Sequence, residues 1–344
     1  MVIKKSKKNL KKALIIGVTG QDGSYLAEYL LSKNYDVHGI KRKISNFNSE
    51  NIDHLLNDKN KFTVHYGDIN DFGNLFSLIK KIYPNEIYNL AAQSHVKVSF
   101  ELPIYTAETN AIGSLKILEV IRQINPKIKY YQAGTSEMFG NSGTKKQNEK
   151  TVFNARSVYS ASKIFSHQVT KNYREAYNLF ACNGILFNHE SPRRNETFVT
   201  KKIIKGLIDI KNNRKNFLLL GNLYAKRDWG HAKDYVRAMW LILQNKKPDD
   251  FVISTGKQYT VKSFVEIVSK KLGFNIYWKY SGINEVGIDS ISNKTIIKID
   301  NKYFRPTEVD SLIGDYSKAK KILNWKPKYN LHSLIDEMIN NEIK

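Results

Sequence analysis

Tyr159 and Lys163 stand four residues apart in Tyr159-Ser160-Ala161-Ser162-Lys163. On a helix, positions i and i+4 share one face. An ammonium beside a phenol favours the phenolate, so this pair predicts a tyrosine that can take a proton near neutral pH. The spacing is weak when taken alone, because Tyr29 and Lys33 repeat it on a stretch with no other sign of chemistry. It gains force from Thr135-Ser136-Glu137, which follows the apolar run 128–133. A hydroxyl there can hold a substrate hydroxyl or keto oxygen. The carboxylate of Glu137 is the informative group. A simple carbonyl reductase does not need it, whereas removing a proton beside a ketone and expelling a neighbouring hydroxyl does.

Such residues must be positioned by a frame, and the first half of the chain supplies one. Short apolar runs at 14–17, 35–40, 62–68, 86–91 and 128–133 read as strands. Runs with helical spacing at 25–31, 75–82 and 107–124 lie between them. Strands alternating with helices predict an α/β fold built on a doubly wound parallel sheet. The second half is less regular. A helix is expected over 198–210 and one more sheet strand over 250–256, while 280–305 reads as a polar stretch ending in Tyr303-Phe304-Arg305-Pro306. No repeat or flexible linker separates the halves. The expected organisation is a basic tail over 1–12, a mainly dinucleotide-binding domain over 13–187, and a smaller, mainly substrate-binding lobe over 188–344 with some segments returning to the sheet.

Gly17-Val18-Thr19-Gly20-Gln21-Asp22-Gly23 joins the first strand to the first helix. Glycines permit a tight turn and close approach of a pyrophosphate, and the helix N-terminus offers free N–H groups and a positive dipole end. The second strand runs into Lys41-Arg42-Lys43, where an NAD enzyme usually carries an acid for the ribose hydroxyl. Three cations suit a 2′-phosphate, so NADP is expected, with Arg42 able to bind it by a planar fork. Asp68, at the end of the third strand, could accept from an adenine amino group. The small residues of Leu90-Ala91-Ala92-Gln93-Ser94 allow close approach of the cofactor.

Composition narrows the class. Lys and Arg outnumber Asp and Glu by 55 to 32, a net charge of +23. The lysines are scattered and no zinc-finger or RNA-recognition signature accompanies them, so no nucleic-acid partner is expected. The positive field suits a ligand carrying several phosphates. The single cysteine, Cys182, lies in the apolar run 180–186, which predicts a buried thiol and excludes an intrachain disulfide. No metal site is expected. No apolar run approaches the roughly 20 residues of a membrane helix, and the lysine-rich start leads into a strand, not a leader sequence. A cytoplasmic protein with no membrane partner is expected.

Taken together, these motifs resemble the extended short-chain dehydrogenase/reductases, and most closely the GDP-mannose 4,6-dehydratases. The resemblance runs from about residue 13 to 340. It includes Phe187-Asn188-His189-Glu190-Ser191-Pro192-Arg193-Arg194, which lies outside generic cofactor motifs. It implies a Rossmann domain, NADP as cofactor, a GDP-sugar as substrate and a homodimer or homotetramer. Thr135, Glu137 and Tyr159 would be catalytic, with Lys163 supporting Tyr159 and the nicotinamide ribose. Gly17, Val18, Thr19, Gly20, Gln21, Asp22, Arg42, Lys43, Ser45, Asp68, Ile69, Leu90, Ala91, Ala92, Gln93, Ser94, Tyr105, His189 and Arg194 would contact NADP. Ser94, Ser136, Asn188, Lys202, Arg227, Arg305 and Glu308 would hold the GDP-sugar. The loop 42–50 belongs, in the family, to an oligomer interface. The chain departs from the family's pattern at Gly134, Val158, Ser160 to Ser162 and Phe139-Gly140-Asn141. These positions flank the sugar, which leaves GDP-mannose and GDP-manno-heptose both open. A nucleotide-sugar epimerase, a dehydratase of a dTDP- or UDP-sugar, and a non-enzymatic NADP- or RNA-binding regulator are the other readings.

Overall fold

Leu14, Ile15 and Ile16 of the first strand are all essentially inaccessible to solvent. Side chains alternate across a strand, so such a run requires apolar cover on both faces. The computed structural model, which describes residues 10–43, 49–56, 61–143 and 145–343, supplies it. Leu14 and Ile16 pack with Leu75, Ile79, Ile117 and Ile121 from the helices Phe72–Ile82 and Gly113–Ile124. Ala13 and Ile15 pack with Leu26, Leu30, Met239 and Ile242 from the helices Gln21–Ser32 and Ala232–Gln244.

The sheet between these layers has seven parallel strands. Their order is Phe251–Ile253, Ala181–Leu186, Lys129–Ala133, Glu86–Asn89, Lys12–Ile16, Asp36–Lys41, Phe62–Tyr66. This is the doubly wound fold expected. The chain reverses its direction of travel across the sheet at the strand Lys12–Ile16. Ile16 lies in register with both Ile40 and Asn89, so Gly17, Lys41 and Leu90 emerge together at one edge. Crevices outside such strand ends, at the reversal point, are where ligands bind in open α/β sheets.

Several elements differ from the sequence reading in ways that matter for the site. The helix expected over 107–124 is broken into Pro103–Ala107, a wide turn Glu108–Ile112, and Gly113–Ile124. A Cβ at Gly113 would meet Ile69 Cγ1 at 2.8 Å. The wide turn presents Asn110, whose side chain accepts from Gln93 N and donates to Gln93 O and Ser162 Oγ. One buried amide thus ties the 90–94 loop to the helix carrying Tyr159 and Lys163. That helix, Val158–Tyr177, opens with a capping box: Ser157 accepts from Ser160 N, and Ser160 Oγ accepts from Ser157 N. Such caps contribute about 1 kcal/mol.

The polar stretch near 280–305 is not irregular. It forms a hairpin, Val286–Asp289 with Lys294–Ile299, in a four-stranded sheet with Ile276–Lys279 and Leu218–Leu220. Its inner side chains, Ile296 and Ile297, join a separate core with Ile203, Leu207, Phe264 and Met338. The strand Phe251–Ile253 and the helix Ala232–Gln244 instead belong to the large sheet and its cover. Cys182 is fully buried in that large core.

Candidate active site

The glycine-rich turn is shaped by collisions that side chains would cause. Gly17 has φ +90°, and a Cβ there would lie 2.9 Å from Ala91 N. A Cβ on Gly23 would lie 2.3 Å from Gly17 O, so the helix packs directly on its own loop. The result is a cleft of about 310 Å³ lined by Gly17, Thr19, Gly20, Gln21, Asp22, Lys41, Arg42, Asp68, Ile69, Leu90, Ala91, Ala92, Ser94, Tyr105 and Arg194. Arg42 Nη1 donates to Tyr105 Oη at 2.6 Å, which fixes the guanidinium at the rim. Val18 is not on the cleft wall; its side chain fills the space above Gly39. Gln93 is spent on structure, donating from its backbone to Asn110 and from its side chain to His95 O. Lys43 is exposed beside the cleft, with Lys41 on the wall instead. Ser45 and most of the loop 42–50 lie outside the described residues.

A second cavity, of about 740 Å³, opens from the first and shares Asp22, Leu90, Ala92, Ser94 and Arg194 with it. Thr135, Ser136, Glu137, Tyr159, Lys163, Asn188, His189, Lys202, Arg227, Arg305 and Glu308 all face it. The strand Lys129–Ala133 delivers the first three. Thr135 Oγ1 accepts from Glu137 N, turning the chain so that the Glu137 carboxylate points inward. Tyr29 and Lys33, with the same spacing as the catalytic candidates, lie elsewhere: the Lys33 ammonium sits 5.4 Å from the Tyr29 ring and 5.2 Å from that of Trp240. Position after the fifth strand distinguishes the two pairs.

Burial dominates the electrostatics here. It pushes the Tyr159 phenol up to about 12, against a hydrogen bond from Thr135 that works the other way. It draws the Lys163 ammonium down to about 8, and Nζ donates to Ala133 O at 3.0 Å. Taking the phenol out of water is the largest influence on Tyr159, and Glu137 adds to it, while Thr135 and Arg194 act in the opposite direction. Burial also draws Lys202 down to about 8; its ammonium lies 3.2 Å from the centre of the Tyr303 ring. Asn188 Oδ1 is buried with no hydrogen-bond partner among the described residues, an acceptor suited to a donor on a ligand.

At the far wall two guanidiniums alternate with two carboxylates. Arg305 Nη1 lies 3.3 Å from Glu137 Oε1 and 3.8 Å from Glu308 Oε1. Arg227 Nη2 donates to Glu308 Oε1 at 3.1 Å, and Arg227 Nη1 donates to Val309 O at 2.7 Å. The residue after Arg227 was not singled out from the sequence. Asp228 is wholly buried and accepts from Thr255 N, Thr255 Oγ1, Gly256 N and Gly314 N, joining three loops behind the cavity. Trp229, Leu220, Val261 and Tyr303 give the cavity an apolar end.

The arrangement can hold a dinucleotide in one cleft and an anionic sugar derivative in the other, with acid–base groups at the junction. The family model for GDP-mannose 4,6 dehydratase matches residues 14–338. The chain is 49% identical to a GDP-mannose 4,6-dehydratase of Yersinia enterocolitica, over 97% of this chain and 94% of that one. It is 50% identical to a Drosophila melanogaster protein of the same name, over 97% and 86%.

The chain belongs to the GDP-mannose 4,6-dehydratase family.

More distant likenesses agree on the fold alone. A dTDP-glucose 4,6-dehydratase from Streptomyces venezuelae superposes with a TM-score of 0.81 at 21% identity, covering 96% of each chain. A UDP-glucose 4-epimerase from Thermus thermophilus gives 0.80 at 20%, covering 96% of this chain and 99% of that one. Among the described residues of this family member, no helix is long and apolar enough to cross a membrane.

Proposed function

We propose that the chain catalyses the 4,6-dehydration of GDP-mannose, giving the 4-keto-6-deoxy sugar, with NADP as its cofactor. The observation that carries this reading is the Glu137 carboxylate facing the same cavity as Tyr159 and the Arg227 and Arg305 guanidiniums. An epimerase or a simple reductase has no use for that carboxylate at that place.

The cleft fits a dinucleotide. The collisions at Gly17 and Gly23 leave backbone exposed where a pyrophosphate would lie, at the N-terminus of the helix Gln21–Ser32. Lys41 and Arg42 at the other end suit a 2′-phosphate, and Asp68, Ile69 and Tyr105 flank them. The cofactor held there would supply a hydride acceptor for sugar C4 and a hydride donor for C6, with no net oxidation. Tyr159, as the phenolate, takes the proton of the 4-hydroxyl, with the Thr135 hydrogen bond and the Lys163 ammonium favouring that charged form. The ketone so formed acidifies the C5–H bond. Glu137 removes that proton and then protonates the departing 6-hydroxyl, a single carboxylate serving as base and acid in turn. Arg227 and Arg305 meet the diphosphate, where planar guanidiniums bind phosphate oxygens in pairs. Lys202, Asn188 and Glu308 hold the rest of the nucleotide, with Ser94 and Ser136 at the sugar. The family reading also carries a homodimer or homotetramer working in the cytoplasm.

Purified protein incubated with GDP-mannose, without added reductant, tests the reading by product mass. Loss of one water supports it. Unchanged mass with inverted C4 would indicate an epimerase. Turnover of GDP-manno-heptose or of a dTDP-sugar in preference to GDP-mannose would move the substrate and leave the chemistry.

A further inference from the structure

Glu137 and Arg305 are 168 residues apart in sequence, yet Arg305 Nη1 reaches Glu137 Oε1 at 3.3 Å. The same nitrogen lies 3.8 Å from Glu308 Oε1, which itself accepts from Arg227. Glu137 and Glu308 therefore flank the Arg305 guanidinium; burial works against its charged form, but Glu137 and then Glu308 hold its pKa above the ordinary value. The carboxylate that must pull a proton from carbon is thus tied up in the resting site. So is one of the two cations that must meet the diphosphate.

We infer that Arg305 is a specificity-determining residue that couples recognition of the diphosphate to release of Glu137. This rests on the reading of the cavity as a GDP-sugar site. Phosphate oxygens and the Glu137 carboxylate compete for one guanidinium. Arg227 cannot exchange partners as freely, because Nη1 is anchored to Val309 O and Lys226 O. Arg305 has no such backbone anchor among its described contacts, and it lies on the segment after the short helical turn Asn301–Tyr303. A diphosphate that takes Arg305 leaves Glu137 with its lone pairs free beside the sugar. A sugar without the diphosphate leaves Glu137 paired. Binding energy from a part of the substrate that does not react is thereby used at the reacting carbon, which raises turnover and not merely affinity.

The test is a double-mutant cycle on GDP affinity, measured by calorimetry with the cofactor-loaded protein. GDP carries the diphosphate and undergoes no reaction. In the wild-type background Glu137→Gln should tighten GDP binding by roughly threefold to tenfold, since Arg305 no longer has to leave a charged partner. In an Arg305→Met background the same change should have no effect, and Arg305→Gln should reproduce that result if the methionine variant folds poorly. An equal gain in both backgrounds would mean plain repulsion between Glu137 and the diphosphate, and would overturn the coupling alone. Failure of the wild-type protein to bind GDP would overturn the substrate reading and this inference with it.

Discussion

Asp22 Oδ2 lies 2.7 Å from His189 Nε2, and the other ring nitrogen, Nδ1, lies 2.8 Å from Phe187 O. Both partners are acceptors, an arrangement that favours the doubly protonated ring. Burial opposes the charge, but Asp22 outweighs it and holds His189 above its ordinary value. Asp22 is held below its own, again against burial, chiefly by His189. The pair joins the first helix to the strand Asn188–Glu190 at the point where the two cavities meet.

A raised histidine contributes stability that is complete below its unfolded value of about 6.5 and fades as pH rises through the folded value. The Asp22 contribution is present above its unfolded value and is lost only as pH falls through the lowered folded one. His189→Gln should therefore lower Tm most near about pH 6, and the gap should narrow toward about pH 9. Thermal melts across that range check it. A gap that stays constant or widens with pH would mean that the pair does not favour the charged ring.

Arg42 stands where dinucleotide enzymes choose between a free ribose hydroxyl and its phosphate, and its hydrogen bond to Tyr105 holds it ready. A charge-assisted hydrogen bond is worth about 1.5–3 kcal/mol. Arg42→Ala should weaken NADPH binding by roughly 10- to 100-fold and leave NADH binding nearly unchanged. Fluorescence titration of both reduced cofactors measures this. Equal losses for the two would show that Arg42 does not read the phosphate.

Gly17 is confined twice, by φ +90° and by a backbone neighbour 2.9 Å from where a Cβ would stand. Gly17→Ala should cost about 1–3 kcal/mol of stability and abolish tight cofactor binding, because neither the strand Lys12–Ile16 nor the 90–94 loop can move without disturbing the sheet. Gly143, also at positive φ but with open space around it, provides the comparison: Gly143→Ala pays the backbone strain alone. Chemical denaturation of the two variants separates packing from backbone cost. Equal losses would mean that the Ala91 contact is unimportant.

What could be read from the chain follows from how local each signal is. The strand Lys12–Ile16 and the turn after it announce themselves because a fully buried parallel strand is a continuous apolar run and the turn needs glycine. Thr135, Glu137, Tyr159 and Lys163 converge because the strand Lys129–Ala133 and the helix Val158–Tyr177 are sequence neighbours in the fold. The hairpin Val286–Asp289 with Lys294–Ile299 was hidden because its buried residues, Gly287 to Asp289 and Ile296 with Ile297, are consecutive and do not alternate with polar ones. The break at Glu108–Ile112 was hidden because its residues continue a helical pattern, and only the pairing of Asn110 with Gln93 and Ser162 shows its purpose. Asp228 and the partnership of Arg305 with Glu137 depend on contacts between distant segments, for which a single sequence carries no sign. The burial that raises Tyr159 is likewise set by the whole fold, and spacing along the chain carries no sign of it.

The central claim is that hydride leaves C4 and returns to C6 of the same sugar while Glu137 manages the proton at C5. GDP-mannose deuterated at C4, given to the NADP-loaded protein in ordinary water, tests it most directly by NMR of the product. The account predicts a 4-keto-6-deoxy sugar carrying the deuterium at C6. Deuterium at C4 of an unaltered-mass epimer, or deuterium left on reduced cofactor released to solution, would contradict it.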